Sequence, residues 1–333
     1  MILHLNQGID HSVINSLKDK YQAIHFALGQ KDVLVTPSKD KQVQAGDEKY
    51  VEQHWVMDSD IQLASSKYMP EKRQIEIANN LSIGGNTGNT LVITGPCSVE
   101  SEEQIETSAS FIHSLGIKVL RAGCYKPRTS PYTFQGLGLE GLKLLDKVRQ
   151  KYGLKIITEV KDSSHIDEVI EYADIVQIGA KAMYDQGILK KCAKTQKPIL
   201  IKRGFGSTLQ EFVQAAEFVL SGGNPNVILC ERGIRTFETK TRFTLDLCGV
   251  AYLKEYTNLP IILDPSHAMG YSYGVADLTR ACIAMGIDGV LIETHPNPAV
   301  AKSDASQQLN HEQFQSLYQS MNAVAGAVGR KIV

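Results

Sequence analysis

From about residue 90 onward, short apolar runs alternate along the chain with longer segments whose apolar positions recur at helical spacing. Eight runs have the length and composition of strands: TLVITG (90–95), KVLRAG (118–123), KIITEV (155–160), IVQIGA (175–180), PILIKRG (198–204), VILCERG (227–233), PIILDPS (260–266) and GVLIETH (289–295). They are continuously apolar, which is typical of parallel strands covered on both faces. Eight strand–helix units over about 240 residues predict an α/β fold, the (β/α)8 TIM barrel.

The first 70 residues follow a different pattern. The runs MILHLN, IDHSVINSLKDKY, QAIHFALG, KDVLVTP and YVEQHWVMD predict a small N-terminal α+β domain of ferredoxin-like type. The second helix of such a domain would have to come from the polar stretch SKDKQVQAGDEKY. Residues 71–89 predict a linker or a hairpin that closes the bottom of the barrel, which then occupies residues 90–333.

Composition narrows the classes of function. The chain has 333 residues, enough for a barrel and a small extra domain. Its 35 Lys and Arg residues nearly balance 36 Asp and Glu residues, so no overall field favours nucleic acid or a membrane surface. Without a leader-like start, an apolar stretch of membrane-spanning length or a CxxC pair among six cysteines, we expect a cytoplasmic protein with reduced thiols.

Charged or reactive residues recur where the predicted strands end. They are Arg121, Glu159, Lys202, Arg232, Asp264, His267 and Glu293. One such residue alone would be a solvated strand end. Because the carboxyl ends of parallel barrel strands meet at one rim, seven together predict a functional site there.

Four of the residues near this rim are good metal ligands. They are Cys97, His267, Glu293 and Asp304, which follow the first, seventh and eighth strands. A lone cysteine is more often a buried apolar residue, and a lone loop histidine is more often only hydrogen-bonded. Together, a thiolate, an imidazole and two carboxylates suit Mn, Zn, Fe or Co better than Ca or Mg, so the sequence predicts a divalent metal ion as cofactor.

A second group is basic. The loop after the second strand holds Lys126, Arg128, Thr129 and Ser130, and Lys181, Lys202 and Arg232 lie at or just beyond three other strand ends. A charge cluster is usually a solvated face, but cations at strand ends point towards the mouth of a barrel. Their number suits two anionic groups, or one substrate that carries several charges.

Longer motifs now allow a comparison. In chain order they are GPCSVES, KPRTSPYTFQGLG, TEV, QIGA, KRG, ERGIRTFE, DPSHA and IETHPNPAVAKSD. Together they closely resemble 3-deoxy-D-arabino-heptulosonate 7-phosphate (DAHP) synthase of the shorter bacterial type, which is itself similar to 3-deoxy-manno-octulosonate 8-phosphate synthase. The resemblance covers about residues 85 to 310.

The resemblance implies a metal-dependent condensation of phosphoenolpyruvate with erythrose 4-phosphate, the first step of the shikimate pathway. It implies that the four ligands hold the metal that polarises the aldehyde. The matching positions for phosphoenolpyruvate are Arg121, Lys126, Lys202 and Arg232, with Ala180 and Lys181 beside them, and those for the sugar phosphate are Arg128, Thr129 and Ser130. Our hypothesis for catalysis is that Lys126 donates a proton and that Glu159, with Asp264, positions the attacking water.

Two departures from the family pattern leave alternatives open. Lys181 and Ala182 stand where relatives usually have an arginine and an asparagine, and YSYGVADL replaces a more charged stretch. The rival octulosonate synthase, which uses arabinose 5-phosphate, is disfavoured because this loop reads KPRTS where that family has a KANRSS-like pattern. A catalytically silent, metabolite-binding paralogue is disfavoured by the intact ligand set.

The role of the N-terminal domain is also open. The resemblance implies feedback by an aromatic amino acid effector, against which stands a simple role in packing or oligomerisation. The family habit further implies a homodimer or homotetramer.

Overall fold

The chain begins with a small antiparallel sheet. A computed structural model describes residues 1–126 and 130–333. The sheet has the order β2–β3–β1–β4 and consists of β1 (Ile2–Leu5), β2 (Ile24–Leu28), β3 (Lys31–Val35) and β4 (Val51–Trp55). Helix α1 (His11–Lys20) starts at Asp10, whose side chain accepts the N–H of Ser12, and it buries Ile14 and Leu17.

The stretch that was required to supply a second helix does not do so. Residues 48–50 form only a single 3₁₀ turn before β4, and the residues before them are irregular. The reason is local, because SKDKQVQAGDEKY has too few apolar residues to form the buried face of a helix, and Gly46 adopts a left-handed conformation with φ +89°.

A hairpin follows and fills the bottom of the barrel. It consists of β5 (Gln74–Ala78) and β6 (Leu81–Gly84), joined at Asn80, which has a left-handed φ of +62°. Its buried side chains Ile75, Leu81 and Ile83 belong to the same apolar cluster as residues inside the barrel, including Leu91 and Ile157. The hairpin therefore closes the end of the barrel that lies opposite the predicted site.

Eight parallel strands form a closed barrel, as the sequence predicted. They are β7 (Asn89–Gly95), β8 (Val119–Arg121), β9 (Lys155–Val160), β10 (Ile175–Ile178), β11 (Ile199–Lys202), β12 (Val227–Glu231), β13 (Ile261–Leu263) and β14 (Gly289–Glu293). Each pairs with the next in chain order, and β14 pairs with β7 from Gly289 opposite Leu91 to Glu293 opposite Gly95. A short C-terminal strand, β15 (Lys331–Ile332), pairs in parallel with the first two residues of β7. The prediction of a (β/α)8 barrel is confirmed.

Helices cover the outside of the barrel. They are α2 (Glu102–Ser114), α3 (Leu139–Tyr152), α4 (Ile166–Tyr172), α5 (Gln186–Cys192), α6 (Leu209–Leu220), α7 (Leu247–Tyr256), α8 (Pro265–Met269), α9 (Ser272–Ala284) and α10 (His311–Ala327), with a 3₁₀ turn at Pro298–Val300. Their starts carry ordinary signals, such as the capping box of Thr208 and Glu211 that begins α6. Among residues 1–126 and 130–333, no helix combines the length and the apolar composition that a membrane-spanning helix needs.

One acidic side chain joins the N-terminal region to the barrel. Glu217 of α6 accepts the backbone N–H groups of Gln62 and Ala64 at 2.8 Å and that of Leu63 at 3.1 Å. Arg73 binds the other side of the same segment, since its Nη2 donates to the carbonyl of Leu63 at 2.9 Å. Burial raises the pKa of Glu217 to about 7, against the opposing effect of the three N–H donors and of Arg73.

This pKa predicts a pH dependence of stability. A carboxyl group whose pKa rises from 4.5 to about 7 on folding contributes stability that is complete below pH 4.5 and is lost as the pH rises through about 7. We therefore expect the unfolding free energy of the wild type, relative to that of Glu217→Gln, to fall by about 2–3 kcal/mol between pH 4.5 and pH 8. Urea unfolding over this pH range measures it, and a difference that stays constant would contradict the assignment.

Candidate active site

The predicted metal ligands converge at the C-terminal rim of the barrel. Ligand atoms of Cys97, Glu293 and Asp304 all lie within 4.8 Å of one another, and Cys97 Sγ is 3.4 Å from Asp304 Oδ2. The fourth, His267, directs its Nε2 towards the same group, 3.5 Å from Glu293 Oε1 and 3.9 Å from Asp304 Oδ2. Side chains up to 207 residues apart in sequence therefore form one cluster.

The strand ends explain this convergence. Glu293 is the last residue of β14 and lies opposite Gly95 of β7, two residues before Cys97. His267 sits in the single-turn helix α8, which begins directly after β13 because Asp264 caps it and Pro265 occupies its first position. Asp304 lies in the loop after β14 with a left-handed φ of +45°, a conformation that aspartate tolerates better than most residues.

The donor set fits a divalent metal ion. One thiol, one imidazole and two carboxylates make a mixed set of the kind that borderline metals such as Zn, Mn, Fe or Co accept. His267 Nδ1 lies 2.7 Å from Asp264 Oδ2, which leaves Nε2 to face Glu293 and Asp304. A carboxylate behind a histidine is the usual support of a metal-binding imidazole.

Burial and neighbouring charges tune the cluster. Burial, together with the nearby Glu293 carboxylate, raises the pKa of the Cys97 thiol to about 12, although Lys126 Nζ lies only 3.0 Å from the sulfur and opposes this shift. Burial alone would also raise the pKa of Asp304, but His267 and Arg242 outweigh it and lower that pKa below its ordinary value. The site thus holds its acids ionised and, in the ion-free protein, its thiol protonated.

A cavity of about 250 Å³ opens beside this cluster. It is lined by Lys126, Glu159, Ala180, Lys181, Lys202, Phe205, Arg232, Arg242, Phe243, His267 and Asp304. A larger cavity, of about 950 Å³, lies at the opposite end of the barrel between the hairpin and the starts of the strands. We assign the smaller cavity as the site because five cations and two candidate ligands face it.

Two buried arginines have side-chain nitrogen atoms without a hydrogen-bond partner among the described residues. The guanidinium of Arg232 lies 4.3 Å from the ring centre of Phe243, and in the described parts of the chain its Nε and Nη1 have no hydrogen-bond partner. Arg121 donates from Nη1 to Glu293, and its Nη2 is 3.6 Å from Glu159, but its Nε is likewise unpartnered there. A buried cation with unsatisfied N–H groups is costly, so this arrangement favours an anionic ligand.

The remaining predicted residues lie in different positions. Asp264 is fully buried behind the cavity, with its Oδ2 bound to Lys202 Nζ at 2.5 Å and its Oδ1 accepting the backbone N–H of His267. Glu159 lines the cavity and accepts a hydrogen bond from the side chain of Gln177. Ser130 is outside the cavity lining, where its Oγ accepts the N–H of Tyr132 at 3.3 Å. Arg128 and Thr129 lie outside the described residues.

The prediction from the sequence did not include three of the residues that line the cavity, Phe205, Arg242 and Phe243. Phe205 and Phe243 stack with their ring centres 5.5 Å apart, and Arg242 places Nη1 3.4 Å from Asp304 Oδ1. Arg242 and Phe243 lie more than ten residues beyond the end of β12, so a search confined to strand ends passes over them. The available signal was the basic–aromatic pair in the loop sequence TKTRFTLD.

Comparison with known proteins gives concordant matches. The family model described as the DAHP synthetase I family matches residues 72–328. Phospho-2-dehydro-3-deoxyheptonate aldolase of Thermotoga maritima is 46% identical over 270 residues, which are 81% of this chain and 79% of that protein. A crystal structure of DAHP synthase from T. maritima superposes with a TM-score of 0.80 at 38% identity and covers 100% of this chain and 98% of its own.

A second kind of relative is more distant. 2-Dehydro-3-deoxyphosphooctonate aldolase of Methylobacillus flagellatus is 35% identical over 234 residues, which are 64% of this chain and 82% of that protein.

The burial of the thiols predicts their reactivity. Of the six cysteines, Cys248 is exposed, whereas the other five are buried, and Cys97 has a pKa raised to about 12. Since the thiolate is the reacting form, we expect Ellman's reagent to modify one thiol rapidly in the native, metal-free protein and six in denaturant. Cys248→Ser should abolish the rapid phase. A rapid second thiol that Cys97→Ser removes would contradict the geometry.

Proposed function

The chain belongs to the DAHP synthetase I family, and we propose that it condenses phosphoenolpyruvate with erythrose 4-phosphate. The products are 3-deoxy-D-arabino-heptulosonate 7-phosphate and inorganic phosphate, in the first step of the shikimate pathway. One observation carries the proposal: Arg232, a buried cation whose Nε and Nη1 have no hydrogen-bond partner among the described residues, lines the same cavity as His267 and Asp304 of the metal-ligand cluster.

We assign the divalent metal, Mn, Zn, Fe or Co, to Cys97, His267, Glu293 and Asp304. When bound, such an ion supplies Lewis acidity and orientation to the aldehyde oxygen of the sugar phosphate. The close approach of three ligand atoms and the support of His267 by Asp264 favour this assignment.

The cations of the cavity hold the substrates. The phosphate and the carboxylate of phosphoenolpyruvate are assigned to Lys126, Lys202 and Arg232, with Ala180 and Lys181 forming the adjacent wall. Arg121, which is buried at the end of β8 and does not line the cavity, is assigned to the same substrate. Lys181 presents a single ammonium group where relatives of this family have a planar guanidinium, so it contacts phosphate without a bidentate pair. The phosphate of erythrose 4-phosphate is assigned to the loop that contains Arg128, Thr129 and Ser130.

The reaction needs two bond-forming steps and one bond-breaking step. The C3 atom of phosphoenolpyruvate attacks the aldehyde carbon, and the new alkoxide takes a proton from Lys126. Water, positioned by Glu159, adds to the cationic C2 that this attack leaves and returns one proton to Lys126. The C2–O bond to phosphate then breaks while the remaining hydroxyl proton passes to the leaving phosphate, which gives the ketone and inorganic phosphate. Asp264 contributes through Lys202 and His267, since both of its oxygens are engaged by those residues. Alignment of two reactants against fixed charges supplies most of the acceleration.

The assay that tests this function measures phosphate release from phosphoenolpyruvate. We expect release with erythrose 4-phosphate and little or none with arabinose 5-phosphate, and we expect a chelator to abolish it and Mn²⁺ to restore it. A preference for arabinose 5-phosphate would instead support the octulosonate synthase reaction of the M. flagellatus relative. Absence of release with either sugar, together with retained phosphoenolpyruvate binding, would indicate a non-catalytic paralogue.

Variants of Lys126 test the proton-transfer step. Lys126 Nζ donates to the carbonyl oxygen of Cys97 at 3.0 Å, which holds its ammonium group inside the cavity. We expect Lys126→Met to lower kcat by about 10²–10⁴-fold, the range for a lost general acid. Lys143→Met, at an exposed position on α3, is the matched control and should keep normal turnover. Wild-type kcat in Lys126→Met would remove the assignment, and Glu159→Gln tests the water-positioning role in the same way.

We propose that residues 1–70 form a ferredoxin-like domain that lacks the usual second helix. The hairpin segment 71–89 and the catalytic barrel 90–333 follow it. The strand order β2–β3–β1–β4 with α1 on one face supports this, although a 3₁₀ turn replaces the second helix. We further propose that it binds an aromatic amino acid effector and that the enzyme is a homodimer or homotetramer. The contact of Glu217 with residues 62–64 is the route by which such a domain acts on the barrel.

A further inference from the structure

Two adjacent glutamines, Gln307 and Gln308, are buried in the loop between Asp304 and helix α10. Their exposed fractions are 0% and 1%. A glutamine amide carries two donor hydrogens and an acceptor oxygen, so burying one without partners is costly. The partners that these two amides find are therefore informative.

Gln307 holds the carboxylate of Glu293. Its Nε2 donates to Glu293 Oε2 at 2.6 Å, while its Oε1 accepts from Arg242 Nη1 at 2.7 Å. Because a guanidinium can only donate, Arg242 turns the amide oxygen towards itself and the amide nitrogen towards Glu293. The other carboxylate oxygen, Oε1, accepts from Arg121. Glu293 is thus restrained from two sides.

Gln308 ties together the two loops that carry Cys97 and Asp304. Its Oε1 accepts the backbone N–H of Cys97 at 3.0 Å, and its Nε2 donates to the carbonyl oxygen of Ser303 at 2.9 Å. The hydroxyls of Ser98 and Ser303, 2.7 Å apart, form a second tie between the same loops. Asp304 itself has φ +45°, a strained value that persists only where the surrounding structure enforces it.

We propose that Gln307 and Gln308 are positioning residues for the metal site. Gln307 orients Glu293, and Gln308 sets the separation of Cys97 and Asp304, so that three ligands are held in place before the ion arrives. This inference rests on the proposed function, in which those side chains bind a divalent metal. The physical gain is pre-organisation: a ligand that is already oriented loses less conformational freedom on binding.

The test is the affinity of the metal-free, full-length protein for Co²⁺, measured through the near-ultraviolet thiolate-to-cobalt absorption. Gln307→Met and Gln308→Met keep the length of the side chain and remove its hydrogen bonds. We expect each to weaken Co²⁺ binding by about 10–100-fold, the usual cost of losing a partner that orients a metal ligand. Gln315→Met, at an exposed position on α10, should bind as the wild type does.

A second measurement separates ligand positioning from general damage. Phosphoenolpyruvate binding to the metal-free variants should stay within twofold of wild type, because the cations that hold it are untouched. If Gln308→Met does not fold, Gln308→Asn replaces it in the test. Asparagine keeps the amide group but is one methylene shorter, so we expect the same loss of Co²⁺ affinity, about 10–100-fold.

The possible results differ for the two proposals. Wild-type Co²⁺ affinity in the folded variants would overturn the positioning role while leaving the metal site intact. A wild-type protein that does not bind Co²⁺ would overturn both the metal site and the positioning role. Tight Co²⁺ binding that the variants weaken, without condensation activity in the wild type, would refute the proposed reaction and support the positioning role.

Discussion

The parallel pairing of β14 with β7 is the constraint on which the site depends. It closes the barrel and places Glu293 opposite Gly95, so that the loops carrying Cys97 and Asp304 leave the same rim side by side. Without this closure the ligands would belong to the two edges of an open sheet. The close approach of their ligand atoms therefore follows from the strand register and from the loops that leave these strand ends.

Buried charge is the second organising feature. Arg121, Lys202 and Arg203 are almost fully buried, and each is paired with at least one carboxylate at the strand ends. Such pairs are weak sources of net stability, because desolvation offsets most of the attraction. Their value lies in geometry, since they hold side chains rigidly around a cavity that then favours an anion. Arg232 differs, because its guanidinium group lies over the ring of Phe243 and its Nε and Nη1 have no hydrogen-bond partner among the described residues.

The two ends of the barrel serve different purposes. At the lower end, apolar side chains of the β5–β6 hairpin continue the interior core and exclude water from it. At the upper end, four of these strands finish in a charged residue, namely Arg121, Lys202, Glu231 and Glu293, and Asp264 caps α8 directly after β13. The apolar packing that stabilises the barrel thus lies at the end opposite the candidate site. In barrels of this kind, the loops at the site end can therefore vary without disturbing the core.

The barrel could be predicted from the sequence alone, because eight continuously apolar runs separated by helical patterns have few other ways to bury both faces of each strand. It also predicted that Cys97, His267, Glu293 and Asp304 lie together at the rim, since a position at or after a strand end is visible in the sequence. The contacts of Arg242, Phe243 and Gln307 could not be predicted in this way, because these residues lie far along their loops and reach the site through the folding of those loops. The second helix of the N-terminal sheet is absent for a local reason, because the polar connection before β4 offers little apolar surface that a helix could bury.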